Sequence, residues 1–161
     1  MTDEGAAMDV DLDLAIERVI HAHKAAIWRA WTDSERFARW WIPEPYRCRV
    51  DFFDPRSGGG FVTSMSDNGA DFVPHMDAAF LVVADDRIVF TNAVDSTLRP
   101  ATPMPVPVTG EVSLEEHPDG TLYRIVARHG TRAAREKHDA LHLREGWTLV
   151  TDQLAALVES R

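Results

Sequence analysis

Three histidines near the end of the chain invite a metal reading: His138 and His142 stand four residues apart, and His129 lies just upstream. On a helix, residues at i and i+4 share a face, so two imidazoles at that spacing can grip one ion. A tetrahedral site needs further ligands, and residues 138–142 read HDALH, without the H-E-x-x-H arrangement. Helical angles also turn both rings away from the apolar stripe of Leu143 and Trp147. No metal and no cofactor is predicted. A second pair, His75 and Asp77, shares one strand face and would suit acid–base work if that face were interior. Met76 and Phe80 argue that the opposite parity packs inward. Cys48 falls on the apolar parity of a strand, the usual place of an inert thiol. There is no G-x-S-x-G elbow, and the glycine run 58–60 leads into a strand rather than a helix, so neither a serine nucleophile nor a phosphate cradle is expected. No catalytic residue is predicted, and enzyme chemistry has no convincing carrier. Arg18 shares the parity of Leu14 and Ile16 and should point inward, where a guanidinium must be paired. Its partner is either Glu145 or Asp152 in a structural ion pair, or an anionic ligand at a cavity wall.

Aromatic residues carry the other strong signal. WRAWTDSERFARWW, from Trp28 to Trp41, holds four of the five tryptophans. Burying one Trp removes roughly 150–250 Å² from water, worth about 4–6 kcal/mol as an upper estimate. The stretch is therefore expected to lock one corner of the fold, with Trp31 in the core and Trp40 and Trp41 where the fold would open.

The elements that position these groups can be traced by period. From Asp11, Leu12, Leu14 and Ile16 alternate with acidic residues, which predicts a half-buried strand. Residues 24–31 switch to helical spacing, and Thr32-x-x-Glu35 has capping-box spacing for a second helix carrying Phe37, Trp40 and Trp41 up to Pro43. The period returns to two in 46-YRCRVDFF-53, where Tyr46, Cys48, Val50 and Phe52 should share a face. Further strands are expected around 61–65, 75–84, 87–94, 108–116 and 121–129, the last two joined at 117-HPDG-120. The segment 95–108 carries four prolines and reads as a loop passing into an edge strand, with 99–107 a candidate lid. One long helix is predicted from about Arg132 to Val158, its stripe formed by Leu143, Trp147, Val150, Leu154 and Leu157. The fold class is α+β: a curved antiparallel sheet wrapped around a long C-terminal helix, with two short helices after the first strand.

Composition bounds the function. At 161 residues with no linker or repeat, the chain reads as a flexible acidic tail, 1–10, and one domain, 11–161. Its net charge of −9 repels phosphate backbones and anionic lipids, so neither nucleic acid nor a membrane is an expected partner. A single cysteine fits a reducing, cytoplasmic setting.

In this order stand Arg18 in the first strand, IWRAWTD (27–33), RWWIP (39–43), DPRSGGGF (54–61), RIVFT (87–91), DGTLYRIVARH (119–129) and EGWTLVTDQLAALV (145–158). Together they resemble the activator of heat-shock-protein ATPase homologue family, within the SRPBCC or START-like, birch-pollen-allergen-like superfamily. The resemblance implies a helix-grip fold whose sheet and long helix enclose an apolar cavity for a small hydrophobic molecule. On this chain the cavity is expected at Trp40, Trp41, Phe61, Met65, Phe80, Phe90, Tyr123 and Leu143, with Arg18 or Tyr123 supplying orientation. The same side chains could instead interdigitate and leave no void. The family name also implies a chaperone partner, although the co-chaperone it comes from carries a separate chaperone-binding domain. A small enzyme acting on a hydrophobic or aromatic substrate is a third reading, and self-association as a homodimer is left open.

Overall fold

A computed structural model describes residues 8–160. The expected acidic tail falls largely on residues 1–7, which lie outside the described residues. Asp9, near its end, closes a turn: its N–H donates to Asp13 Oδ2 (2.9 Å) and its carbonyl accepts from Leu12 and Asp13.

The alternating segment becomes β1 (Asp13–Ile20), followed by α1 (Lys24–Thr32) and α2 (Ser34–Phe37). Between the helices the structure corrects the sequence reading. Thr32 remains inside α1, where its hydroxyl donates to Trp28 O at 2.8 Å. Asp33, extended at φ −109°, is the true cap, and its carboxylate accepts from the Glu35 and Arg36 N–H groups.

Next come β2 (Arg47–Asp54), β3 (Gly60–Ser66), β4 (Val73–Ala84), β5 (Arg87–Thr91), β6 (Thr109–His117) and β7 (Gly120–Arg128). With β1 they form one antiparallel sheet in the order β1-β7-β6-β5-β4-β3-β2. The chain therefore opens and closes its sheet side by side: Leu14 faces Ala127 and Ile20 faces Thr121 across the β1–β7 pair.

Bulges interrupt the simple alternation. Asp51 is the extra residue between Val50 and Phe52 on β2, so the face slips by one. Phe53 then packs on Phe37 at 5.3 Å, while Phe52 is left 45% exposed, contrary to the expected parity. On β4, Thr63 pairs with Met76 but Ser64 with Pro74, which leaves His75 as an extra residue. A third bulge frees Leu81 between Phe80 and Val82.

The expected single C-terminal helix is two. α3 (Arg132–Asp139) and α4 (Leu143–Glu159) are separated at His142, which takes the left-handed conformation at φ 63°. In that conformation the regular i to i−4 ladder cannot continue, so α4 starts afresh with Gly146 N–H bonding His142 O. α4 lays Val150, Leu154 and Ala155 on the core, while α3 has no buried residue. The core is an aromatic cluster: Trp31 lies 4.9 Å from Trp40, 5.6 Å from Trp41 and 5.8 Å from Phe90 between ring centroids.

Candidate functional site: a cleft between the sheet and the last helix

Above this cluster lies a cleft of about 200 Å³, open on one side. Trp41 and Pro43, past α2, form one wall; Met76 and His75 on β4 form the floor; His138 on α3 and Leu143, Gly146, Trp147 and Val150 on α4 close it. Each wall has a reason to stand where it does. Gln153 on α4 donates to Trp40 O (3.0 Å) and Ile42 O (2.9 Å) and accepts from Glu44 N–H (2.7 Å), which pins the tryptophan corner to the helix. Trp41 and Trp147 then meet edge to face at 5.8 Å. Gly146 leaves space, since a Cβ added there would meet no atom within 4 Å.

The cleft is apolar except for a few groups. His75 enters through the β4 bulge, which turns it to the same side as Met76; its Nδ1 sits 3.0 Å from Thr63 Oγ1. Burial pushes its imidazole down to about 4, so it is neutral in the neutral pH range. Asp77 turns elsewhere and accepts from Ser96 N–H at 2.7 Å. The acid–base pair considered from the sequence borders one groove, but Asp77 is engaged by Ser96 and His75 by Thr63 rather than by each other. Across the cleft, His138 Nδ1 lies 2.8 Å from His129 Nε2, and His129 Nδ1 lies 2.8 Å from Leu12 O. Burial, reinforced by the His129 ring beside it, lowers His138 to about 4. Of the two rings expected to turn away from the apolar stripe, His142 is exposed, while His138 is half-buried and turned back onto His129. Among the described residues no group of three or more His, Cys, Asp or Glu converges as metal ligands. Trp41 adds a buried Nε1–H without a hydrogen-bond partner among the described residues.

Of the residues expected at a cavity, the cleft brings together Trp41 and Leu143. Trp40, Phe61, Phe80, Phe90 and Tyr123 are 0–1% exposed and fill the cluster beneath it. Tyr123 receives the Trp31 Nε1–H at 3.3 Å, and burial raises its phenol above the ordinary value. Met65, on β3, packs half-buried against the cluster. Arg18 pairs with Asp152 across the β1–α4 contact, away from the cleft. Cys48 is half-buried, and burial, aided by Asp51, pushes its thiol up to about 12, which leaves no thiolate for chemistry. Residues 101–104 border a second groove of about 620 Å³ that shares His75 and Met76 with the cleft. The proline segment is fastened at Asn92, whose side chain accepts from Val108 N–H (2.7 Å) and donates to Val106 O (3.4 Å).

His75, His138, Met76 and Trp147 were missed as cavity residues. Trp147 and Met76 carried the apolar periodicity that could have found them. Nothing in the sequence announces the bulge that turns His75 or the break that brings His138 round.

No described helix is long and apolar enough to cross a membrane. The family model described as Activator of Hsp90 ATPase homolog 1-like protein matches residues 21–159. A crystal structure of a Nitrosomonas europaea protein is similar at 33% identity and a TM-score of 0.82, covering 94% of this chain and 97% of that one. A Chromobacterium violaceum protein follows at 25% identity and 0.72, covering 93% and 99%. An AHSA1-like protein from Aeromonas hydrophila shares the fold at 24% identity and 0.63, covering 92% of each chain. No curated protein sequence matches the chain.

Proposed function

The chain belongs to the family of Activator of Hsp90 ATPase homolog 1-like proteins, and we propose that it acts as a non-catalytic receptor for a small apolar molecule held between its sheet and α4. The cleft itself carries this reading: about 200 Å³, lined by Trp41, Met76, Val108, Leu143, Trp147 and Val150 among others. An apolar cavity of about 150 Å³ takes benzene. This volume therefore suits one ring with a substituent rather than a drug-sized or sterol-sized ligand, whose pockets run to about 300–1,000 Å³. Apolar contact with Trp41 and Trp147 supplies affinity. Phe61, Phe80, Phe90, Trp40, Met65 and Tyr123 act from behind, as the packed bed that keeps the lining rigid, and Arg18 keeps β1 tied to α4. The receptor needs no metal, and its net charge of −9 disfavours nucleic acid and anionic membranes.

An NMR titration with toluene tests the reading. Resonances of Leu143, Trp147 and Val150 should shift in the wild type, and Gly146→Leu, whose side chain grows into the free space, should abolish the shifts while the fold persists. Equal shifts in both proteins, or none in the wild type, would sink it. The family's description favours a second reading, regulation of a chaperone ATPase. Stimulation of Hsp90 ATPase by the purified chain would support it, and unchanged turnover would remove it.

A further inference from the structure

The proton positions in the His129–His138 pair follow from their partners. A carbonyl only accepts, so the 2.8 Å contact with Leu12 O puts a hydrogen on His129 Nδ1. A neutral imidazole carries one N–H, which makes His129 Nε2 a bare lone pair. The 2.8 Å contact with His138 Nδ1 then requires His138 to donate. Its remaining nitrogen, Nε2, is left as a lone pair with no partner among the described residues, on a residue that lines the cleft. Reversing the relay would put a second hydrogen, and with it a positive charge, on His129, which is only 5% exposed.

The rest of the lining sharpens the consequence. Most neighbours are apolar, so an acceptor here must be met by a donor on whatever fills the space. A carboxylate brings only lone pairs to that lone pair, and a hydrocarbon leaves it unmet. We propose that the His129–His138 relay makes the cleft selective for a one-ring ligand bearing a hydroxyl, a phenol or a cyclic alcohol, whose O–H donates to His138 Nε2. This inference rests on the cleft being a ligand site, the reading proposed above.

The test uses phenol, toluene and benzoate as probes at pH 7.5, followed by NMR, with the imidazole tautomers read from long-range ¹H–¹⁵N spectra. His138 should be the tautomer protonated at Nδ1. Phenol should bind roughly threefold to tenfold more tightly than toluene, the range of one net hydrogen bond, and benzoate more weakly than either. In His138→Phe the phenol preference should vanish while toluene still binds. Equal affinities for phenol and toluene in the wild type, a preference that survives His138→Phe, or tighter binding of benzoate overturns the relay and leaves the receptor reading standing. Absence of binding by all three probes removes both. If His138→Phe fails to fold, the wild-type tautomer still decides, since a His138 protonated at Nε2 overturns the proposal by itself.

Discussion

His75 reaches the cleft because β4 carries one residue more than β3 opposite Thr63. Strict alternation assigns it to the face of Asp77, and no residue type around it marks the slip; Pro74, beside it, is compatible with a bulge but also with an ordinary edge position. Arg18 is a different case: the need to pair a cation gave Glu145, Asp152 or an anionic ligand as its partner, and the structure pairs it with Asp152, in a partly exposed rather than interior contact. The buried ring of His75 has a consequence for stability. In the unfolded chain it binds a proton near pH 6.5, in the folded chain only near pH 4. Between those values the unfolded state holds more protons, so His75 makes stability rise with pH. Its contribution is complete above about 6.5, falls as the pH drops toward 4, and amounts to at most about 3 kcal/mol over that window. Urea denaturation at pH 7.5 and 4.5 should show a smaller loss for His75→Leu than for the wild type. An identical loss in the two proteins would mean that the ring is not buried as described.

At the scale of elements, periodicity located the start of both short helices, but it ran the second through Trp40 and Trp41, past its end at Phe37, and placed the cap between them one residue early. Thr32 and Asp33 are both good capping residues, and spacing alone favours Thr32 because Glu35 stands three positions on. What decides is the backbone: α1 runs through Thr32, and Asp33 is the first extended residue. Asp33→Ala should therefore cost about 1 kcal/mol in thermal or urea unfolding. Thr32→Ala should cost less, because its hydroxyl only bonds back to Trp28 O. The reverse order would restore the capping-box reading. The last helix failed for a related reason. The polar run of α3 and the apolar stripe of α4 join in sequence without glycine or proline, so the left-handed His142 has no composition signal. The break matters for the site, because it lets α3 fold back far enough for His138 to meet His129.

For the whole molecule, strand number and class were legible because each strand has its own apolar face and each turn its polar residues. The resemblance added the connection that pattern cannot supply, namely which strands lie side by side. What neither could decide was how much of the aromatic content is solid. Five expected cavity residues proved to be the cluster below the cleft, because rings 5–6 Å apart fill their own space. The sheet order also sets folding speed. β1 must wait for β7, some hundred residues later, before it can pair. Closing so long a loop before any contact repays it is slow. Stopped-flow refolding monitored by tryptophan fluorescence should show the main phase on the scale of about milliseconds to seconds. A dominant phase of microseconds would argue for a locally stabilised helical corner folding alone.

The turn before β1 is held by the far end of the chain. Arg132 bonds Asp11 at 2.8 Å, His129 bonds Leu12 O at 2.8 Å, and Arg135 bonds Asp13 O. These three grips make residues 11–13 a leash on the helix that forms one side of the cleft. Cutting that leash, by a protease or by a tag removed a few residues too late, would free α3 without touching a single residue of the cleft lining. An N-terminal tag is then no passive handle, and ligand affinities measured with one in place should be compared with those of a protein tagged at the other end.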